Sequence, residues 1–138
     1  MGRYLAIDHG VKRVGLALSD PMKIIAKPLK TITYKKSSDL FNELIKVINQ
    51  EEVESIILGF PKGMKGQETR QTKIVLSFYE ELKTKIEIPI VLQDERLSSL
   101  SAKKSLVQQN IKTGHNKSLI DQTAAAIFLQ HYLDINRR

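Results

Sequence analysis

The chain has 138 residues, a formal net charge of +7 and no cysteine. Its length matches one domain of ~100 to 150 residues, so we predict a single domain over residues 1–138, too short for a two-lobed ATPase. The lack of cysteine excludes disulfide frameworks, thiolate metal sites and cysteine nucleophiles, and the excess of lysine and arginine favours a polyanionic partner such as nucleic acid.

Three short strands open the predicted order of elements. Residues 4–7 and 14–18 are apolar, strand-like runs separated by the polar residues 8–13, a pattern typical of a β-hairpin. A third strand over residues 29–33 follows Pro28. Since consecutive strands with short connections pair with each other, we predict an antiparallel meander.

Helices then alternate with strands. Apolar residues spaced four apart from Leu40 onward predict an amphipathic helix with an N-cap at Ser37 or Ser38. The apolar run at residues 55–59 predicts a buried, central parallel strand, and a second helix follows from about Glu68. The last predicted elements are a strand over residues 90–93, a helix from Ser98 or Ser99 to about Asn110, and a helix over residues 120–132 with Ala124, Ile127, Phe128 and His131 on one side.

The resulting order, β-β-β-α-β-α-β-α-α, predicts an α/β fold with a five-stranded mixed sheet. Three antiparallel strands are extended by two parallel strands that arrive through helical crossovers. Active sites in open α/β sheets lie beyond the carboxyl ends of strands. Asp8 ends the first strand, Asp94 and Glu95 end the last strand, and Asp121 is predicted in the first turn of the last helix. We therefore expect these acids to gather at one edge.

Clustered carboxylates remain ionised only when cations neutralise their mutual repulsion. Oxygen ligands select Mg²⁺ or Mn²⁺, and two such ions ~3.5 to 4 Å apart can hold a scissile phosphate and activate water. Each acid also has a simpler interpretation: Asp121 suits the positive end of a helix dipole, and the adjacent Asp94 and Glu95 point to opposite faces of a strand, so only one of them is expected to be catalytic. Asp8 directly follows an apolar strand, where an acid without partners is costly.

Four segments of the chain resemble the YqgF/RuvX family: residues 5–17 (LAIDHGVKRVGLA), residues 59–61 (GFP) with Gly66, residues 94–98 (DERLS) and residues 120–126 (IDQTAAA). The resemblance spans the whole chain and implies an RNase H-like fold, a cytoplasmic location, and activity on nucleic acid. The family is described both as the nuclease that matures the 5′ end of pre-16S ribosomal RNA and as a Holliday junction resolvase. Its catalytic acids fall on Asp8, Glu95 and Asp121, which would hold the metal with Asp94 beside them.

Further candidates would contact the substrate: Lys12, Arg13, Lys62, Lys65, Arg96 and Ser98. Backbone amides of residues 63–67 could also cradle a phosphate. The alternatives are solvated loop charges at Lys62 and Lys65 and a helix cap at Ser98. Gly10 is interpreted as a turn residue with positive φ, Gly15 as a site of close backbone approach, and His9 as a structural or solvent-facing residue.

We expect a Mg²⁺- or Mn²⁺-dependent endonuclease acting on ribosomal RNA precursor, with the assembling small ribosomal subunit as a further partner. Two alternatives remain open: a resolvase acting on four-way DNA junctions, and a non-catalytic module that binds RNA or the ribosome. No apolar run approaches the ~20 residues of a transmembrane helix, and no apolar leader precedes the first strand, so we expect neither a membrane partner nor secretion.

Overall fold

A computed structural model describes residues 2–10, 12–60, 68–94 and 117–136, with the backbone alone for residues 117–120. The elements follow in the order β1 (Arg3–His9), β2 (Arg13–Ser19), β3 (Ala26–Thr33), α1 (Ser37–Gln50), β4 (Val53–Phe60), α2 (Arg70–Lys85), β5 (Ile90–Asp94) and α3 (Lys117–Ile135). This succession confirms the predicted α/β fold class. The helix predicted from Ser98 or Ser99 to about Asn110 lies outside the described residues. None of the described helices is long and apolar enough to cross a membrane.

The five strands form one mixed sheet in the order β3-β2-β1-β4-β5. Strand β2 is antiparallel to β1 and β3, whereas β4 is parallel to β1 and β5. Strand β4 is the buried parallel strand that its apolar run predicted, since Ile56, Ile57 and Leu58 have no exposed surface. We call the edge formed by the carboxyl ends of β1, β3, β4 and β5 and by the start of β2 the carboxyl edge.

Alternation of side chains along the strands divides the core into two layers. One layer, the α1/α2 face, packs large strand residues against the buried side chains of both helices, among them Leu5, Ile7, Leu16, Leu58, Phe41, Leu44 and Phe78. The other layer, the α3 face, packs smaller strand residues against a single helix, through Ala6, Ala17, Ile57, Ala125, Phe128 and Leu129. The sheet is therefore covered on both sides, as an RNase H-like fold requires.

The first two helices begin at residues other than those predicted. Helix α1 has Lys36 as its N-cap, with no side-chain cap, rather than Ser37 or Ser38, because the chain stays extended only as far as Lys36 and both serines already lie in the first turn. Helix α2 begins at Arg70 rather than about Glu68. Its start is fixed by a reciprocal capping box, in which Thr72 N–H donates to Thr69 Oγ1 at 3.2 Å and Thr69 N–H donates to Thr72 Oγ1 at 3.0 Å.

Helix α3 begins at Lys117, so Asp121 lies in its second turn and not in the first turn as predicted. The effect of a helix dipole fades within the first turn, which removes the simplest alternative role for this acid. His131, predicted on the same side as Phe128, is exposed. The reason is that α3 buries a broad surface of small residues, including the consecutive Ala124, Ala125 and Ala126, and does not follow a narrow apolar stripe.

Candidate functional site

Asp8 and Asp121 lie on the same face of the sheet, on either side of Gly15. Asp8 pairs with Gly15 across β1 and β2, and directly opposed residues point their side chains to the same face. A Cβ atom built on Gly15 would lie 2.3 Å from the carbonyl oxygen of Asp121 and 2.9 Å from its Cβ atom. The predicted close backbone approach at Gly15 is therefore confirmed, and this contact of α3 with the sheet brings the two acids together.

Arg13 pairs with the second of these acids. Its Nε donates to Asp121 Oδ2 at 2.8 Å, and the two side chains are 33% and 23% exposed. Arg13 lies two residues before Gly15 on β2, so it belongs to the same face of the sheet. A partly exposed ion pair contributes only ~0 to 1 kcal/mol to stability, and its main effect here is to orient the carboxylate of Asp121.

Asp94 lies on the opposite face from Asp8, which corrects its predicted place in the metal site. Leu92 packs against the α1/α2 core and Val91 against the α3 core. Strict alternation along β5 then assigns the exposed Asp94 to the α1/α2 face. A ligand on that side of the sheet cannot join Asp8 and Asp121 around one ion. The neighbouring candidate, Glu95, lies outside the described residues.

Gln93 is a polar residue at the carboxyl edge that the sequence reasoning missed. Alternation along β5 assigns it to the α3 face, and it pairs with Gly59 of β4. Gly59 follows Leu58, the last residue of β4 that pairs with β1, so it lies beside Asp8. Gln93 is thus on the same face as Asp8, separated from it by a residue without a side chain. The period-two alternation of β5 was the signal that could have revealed it.

The β1–β2 turn presents the remaining candidates on this side. Lys12 is exposed, and its carbonyl oxygen accepts from Tyr34 N–H at 3.2 Å. Gly10 does not have the predicted positive φ; glycine is required because a Cβ there would lie 2.5 Å from the Arg13 carbonyl oxygen. The other predicted substrate contacts, namely Lys62, Lys65, Arg96, Ser98 and the amides of residues 63–67, lie outside the described residues.

The donor set at this edge fits a hard divalent cation. Asp8 and Asp121 supply carboxylate oxygens on one face, and these are the ligands that Mg²⁺ and Mn²⁺ prefer. Within the ranges described above, no three His, Cys, Asp or Glu residues are close enough to form a complete metal site. The third acid implied by the family resemblance, Glu95, falls outside those ranges.

His9 follows Asp8 but belongs to the opposite side of the sheet. Its ring stacks on Phe78 with centroids 4.3 Å apart, and burial lowers the pKa of its imidazole to about 4, so it is neutral at pH 7. The hydroxyl of Tyr34 donates to Gly10 O at 3.0 Å and lies 3.4 Å from His9 Nε2. In the described part of the chain, His9 Nδ1 is the one buried side-chain nitrogen or oxygen without a partner.

Comparison with known proteins gives a family for the whole chain. The family model RuvX, described as Holliday junction resolvase, matches residues 2–135. A protein of Desulforamulus reducens named "Putative pre-16S rRNA nuclease" is 42% identical over 132 residues, which cover 96% of each chain. A protein of Dictyoglomus turgidum with the same name is 41% identical, over 96% of this chain and 94% of its own.

Solved structures with the same fold come from more distant proteins. Thermus thermophilus RuvC in complex with a Holliday junction substrate has a TM-score of 0.57 and 14% identity, over 98% of this chain and 95% of its own. The fowlpox virus resolvase in complex with Holliday junction DNA has a TM-score of 0.58 and 12% identity, over 99% of both chains. These likenesses show the fold, whereas the family model and the relatives of about 40% identity establish that the chain belongs to the RuvX family.

Proposed function

We propose that this protein is a Mg²⁺- or Mn²⁺-dependent endonuclease that processes the 5′ end of pre-16S ribosomal RNA in the cytoplasm. Membership of a family of nucleases and resolvases supports the coarser statement that it hydrolyses phosphodiester bonds. The observation that carries the proposal is the meeting of Asp8 and Asp121 across Gly15 at the carboxyl edge, where open α/β sheets hold their active sites.

The residues at the edge take distinct roles in this proposal. Asp8 and Asp121, together with Glu95, hold the metal. When bound, a divalent cation supplies Lewis-acid activation of water and neutralises charge on the phosphate. Arg13 orients Asp121 through their 2.8 Å contact. Contacts to the sugar-phosphate backbone come from Lys12 and from the candidates in the neighbouring segments, Lys62, Lys65, Arg96 and Ser98.

Resolution of four-way DNA junctions is the second candidate function. The description of the family model and the fold shared with two resolvases favour it. The ribosomal RNA precursor is the preferred substrate because the relatives named for it are about 40% identical, whereas the resolvases are 12% to 14% identical and support only the fold. The assembling small ribosomal subunit is the partner that would present such an RNA.

The direct test is cleavage of a 5′-extended 16S precursor RNA by the pure protein in Mg²⁺ or Mn²⁺, with a four-way DNA junction in parallel. We expect RNA cleavage that EDTA abolishes. Asp8→Asn and Asp121→Asn should each lower the rate by roughly 100-fold or more, because loss of a ligand exceeds the ~10 to 100-fold effect of outer-shell partners. Metal should also raise the melting temperature of the native protein but not that of Asp8→Asn.

Matched controls remove the same charge elsewhere. Asp134→Asn, at the other end of α3, and Asp39→Asn, in the first turn of α1, should cleave at the native rate. Cutting of the junction alone would replace the ribosomal RNA role with the resolvase role. Binding of RNA without cutting, both in the free state and on an assembling ribosomal particle, would contradict the enzymatic proposal and favour a non-catalytic module.

A further inference from the structure

A cleft between α1 and α2 opens at the carboxyl edge, on the opposite face from Asp8 and Asp121. Its volume is about 350 Å³, within the ~300 to 1,000 Å³ typical of ligand sites. Apolar side chains such as Ile74 and the buried Phe41 and Phe78 form most of its lining, and Ser37, Ser77 and Glu81 are polar groups at its rim. Because the lining residue His9 directly follows Asp8, this cleft begins one residue away from the candidate metal ligands.

Cations flank the end of the cleft at the carboxyl edge. On α1, Lys36 directly precedes the lining residue Ser37, and on α2, Arg70 lies one turn before the lining residue Ile74. The first turn of α2 is held against the end of β1, because Gln71 Nε2 donates to His9 O at 3.2 Å. Lys36 and Arg70 therefore lie at the same end of the cleft as His9, and both are exposed.

Neither cation has a counter-charge within the described residues. Some other lysines there do form ion pairs with nearby glutamates, as in the contacts of Lys23 with Glu54 and of Lys30 with Glu43. Over the part of the chain that the structure describes, Lys36 and Arg70 form no ion pair, and neither do their exposed neighbours Lys35 and Lys73. Uncompensated positive charge beside a catalytic edge favours a bound phosphate.

The cleft is polarised along its length. Positive charge from Lys36 and Arg70 lies at the end nearest the carboxyl edge, whereas Ser77 and Glu81 lie one and two turns of α2 beyond Ile74 and add acceptor oxygens. The apolar lining suits the flat face of a nucleobase, the oxygens of Ser77 and Glu81 suit its amino groups, and the positive end suits its phosphate.

We propose that this cleft binds one unpaired nucleotide of the substrate strand next to the scissile position, with its phosphate between Lys36 and Arg70 and its base against the apolar lining. The inference rests on the proposed nuclease function and adds a selective feature to it. A fully paired strand cannot place a base in a cleft between two helices. The site therefore selects substrates with a single-stranded nucleotide beside the cleaved bond.

The natural absence of cysteine permits a test that does not depend on cleavage. Ser77→Cys places one thiol on the lining of the cleft, and Thr84→Cys places one on the exposed surface farther along α2. In EDTA, a short single-stranded RNA should slow alkylation of the Ser77→Cys thiol by about ten-fold and leave that of Thr84→Cys unchanged. Adding Lys36→Glu and Arg70→Glu to Ser77→Cys should remove the protection, whereas adding Lys27→Glu and Lys46→Glu, which make the same charge change elsewhere, should not.

Further arms of the experiment separate the alternatives. Protection by duplex RNA equal to that by single-stranded RNA, or protection at both thiols, would overturn the proposal, as would the absence of protection at Ser77→Cys. Equal protection by AMP at the same nucleotide concentration would assign the cleft to a free nucleotide instead. Protection without RNA cleavage in Mg²⁺ would support nucleotide binding in the cleft and refute the proposed nuclease function. Cleavage without protection would support the nuclease function and refute nucleotide binding in the cleft.

Discussion

The two faces of the sheet differ in the size of the residues that cover them, and each size serves a different purpose. The α1/α2 face buries leucine, isoleucine and phenylalanine side chains from two helices. On the α3 face the strands contribute mainly small residues, Ala6, Ala17, Gly15 and Gly59, beneath a single helix. Large side chains bury more apolar area, at ~25 cal/mol per Å², so most of the hydrophobic stabilisation comes from the first face.

Small residues on the second face allow a helix backbone to approach the sheet closely. Gly15 has its Cβ position only 2.3 Å from the carbonyl oxygen of Asp121, a separation that no other residue tolerates. This approach places Asp121 beside Asp8. The face with less apolar bulk therefore holds the acids, while the bulkier face forms the cleft and supplies most of the core.

Substitution of Gly15 should break this arrangement and have the largest effect. Gly15→Ala places a methyl group against the backbone of α3, so we expect a loss of about 3 kcal/mol in unfolding free energy and cleavage near the level of Asp8→Asn. Urea denaturation and the RNA cleavage assay measure the two effects. Ile57→Val, in the same core layer, should cost ~0.5 to 1.5 kcal/mol without affecting cleavage. Native stability and native cleavage in Gly15→Ala would show that α3 does not depend on this contact.

Acid should destabilise the folded protein through His9, which packs on the α1/α2 face, and this effect should be intermediate in size. Burial lowers the pKa of His9 to about 4 from its ordinary value of 6.5, so between these values the unfolded chain binds more protons than the folded one. The contribution of neutral His9 to the unfolding free energy is complete above about pH 6.5. It is lost as the pH falls towards 4, and the loss is on the order of 1 to 3 kcal/mol. Melting temperatures measured in EDTA across this range should fall less steeply for His9→Phe than for the native protein. An equal slope would contradict this assignment, and His131→Gln, on the exposed side of α3, is the control for loss of a histidine.

Arg13 tests whether the acids need an orienting partner, and its effect on stability should be the smallest. Arg13→Gln breaks a partly exposed ion pair, so unfolding free energy should change by less than about 1 kcal/mol. Cleavage should fall by about ten-fold, mainly in kcat, because Asp121 loses the group that orients it. Lys30→Gln, which breaks the Lys30–Glu43 pair at 3.3 Å, should leave cleavage unchanged. Equal rates for the two variants would reduce Arg13 to an ordinary surface charge.

Local sequence patterns predicted most elements because the periodicity of apolar side chains and the turn residues between elements are properties of short segments. The apolar runs of β1, β2 and β4 and the four-residue spacing in α1 predicted these elements in the order that the described residues show. Helix starts were predicted less accurately. Residues such as Ser37 that resemble caps lie inside the helix, because the backbone and not the residue type decides where the extended conformation ends.

Sequence patterns alone indicated the fold class, the family and the place of Asp8 near the end of β1, whereas they predicted Asp121 one turn too early in its helix. Which acids meet depends on packing between elements. The approach of α3 to Gly15 brings Asp121 near Asp8, and alternation along β5 assigns Gln93 to the face of Asp8 and Asp94 to the other. Packing of α1 and α2 on the sheet also forms the cleft beside His9. The residues that line this cleft come from segments more than 60 residues apart in the chain. The physical reason is that side-chain periodicity acts within one element, whereas contacts between elements depend on how the whole core packs.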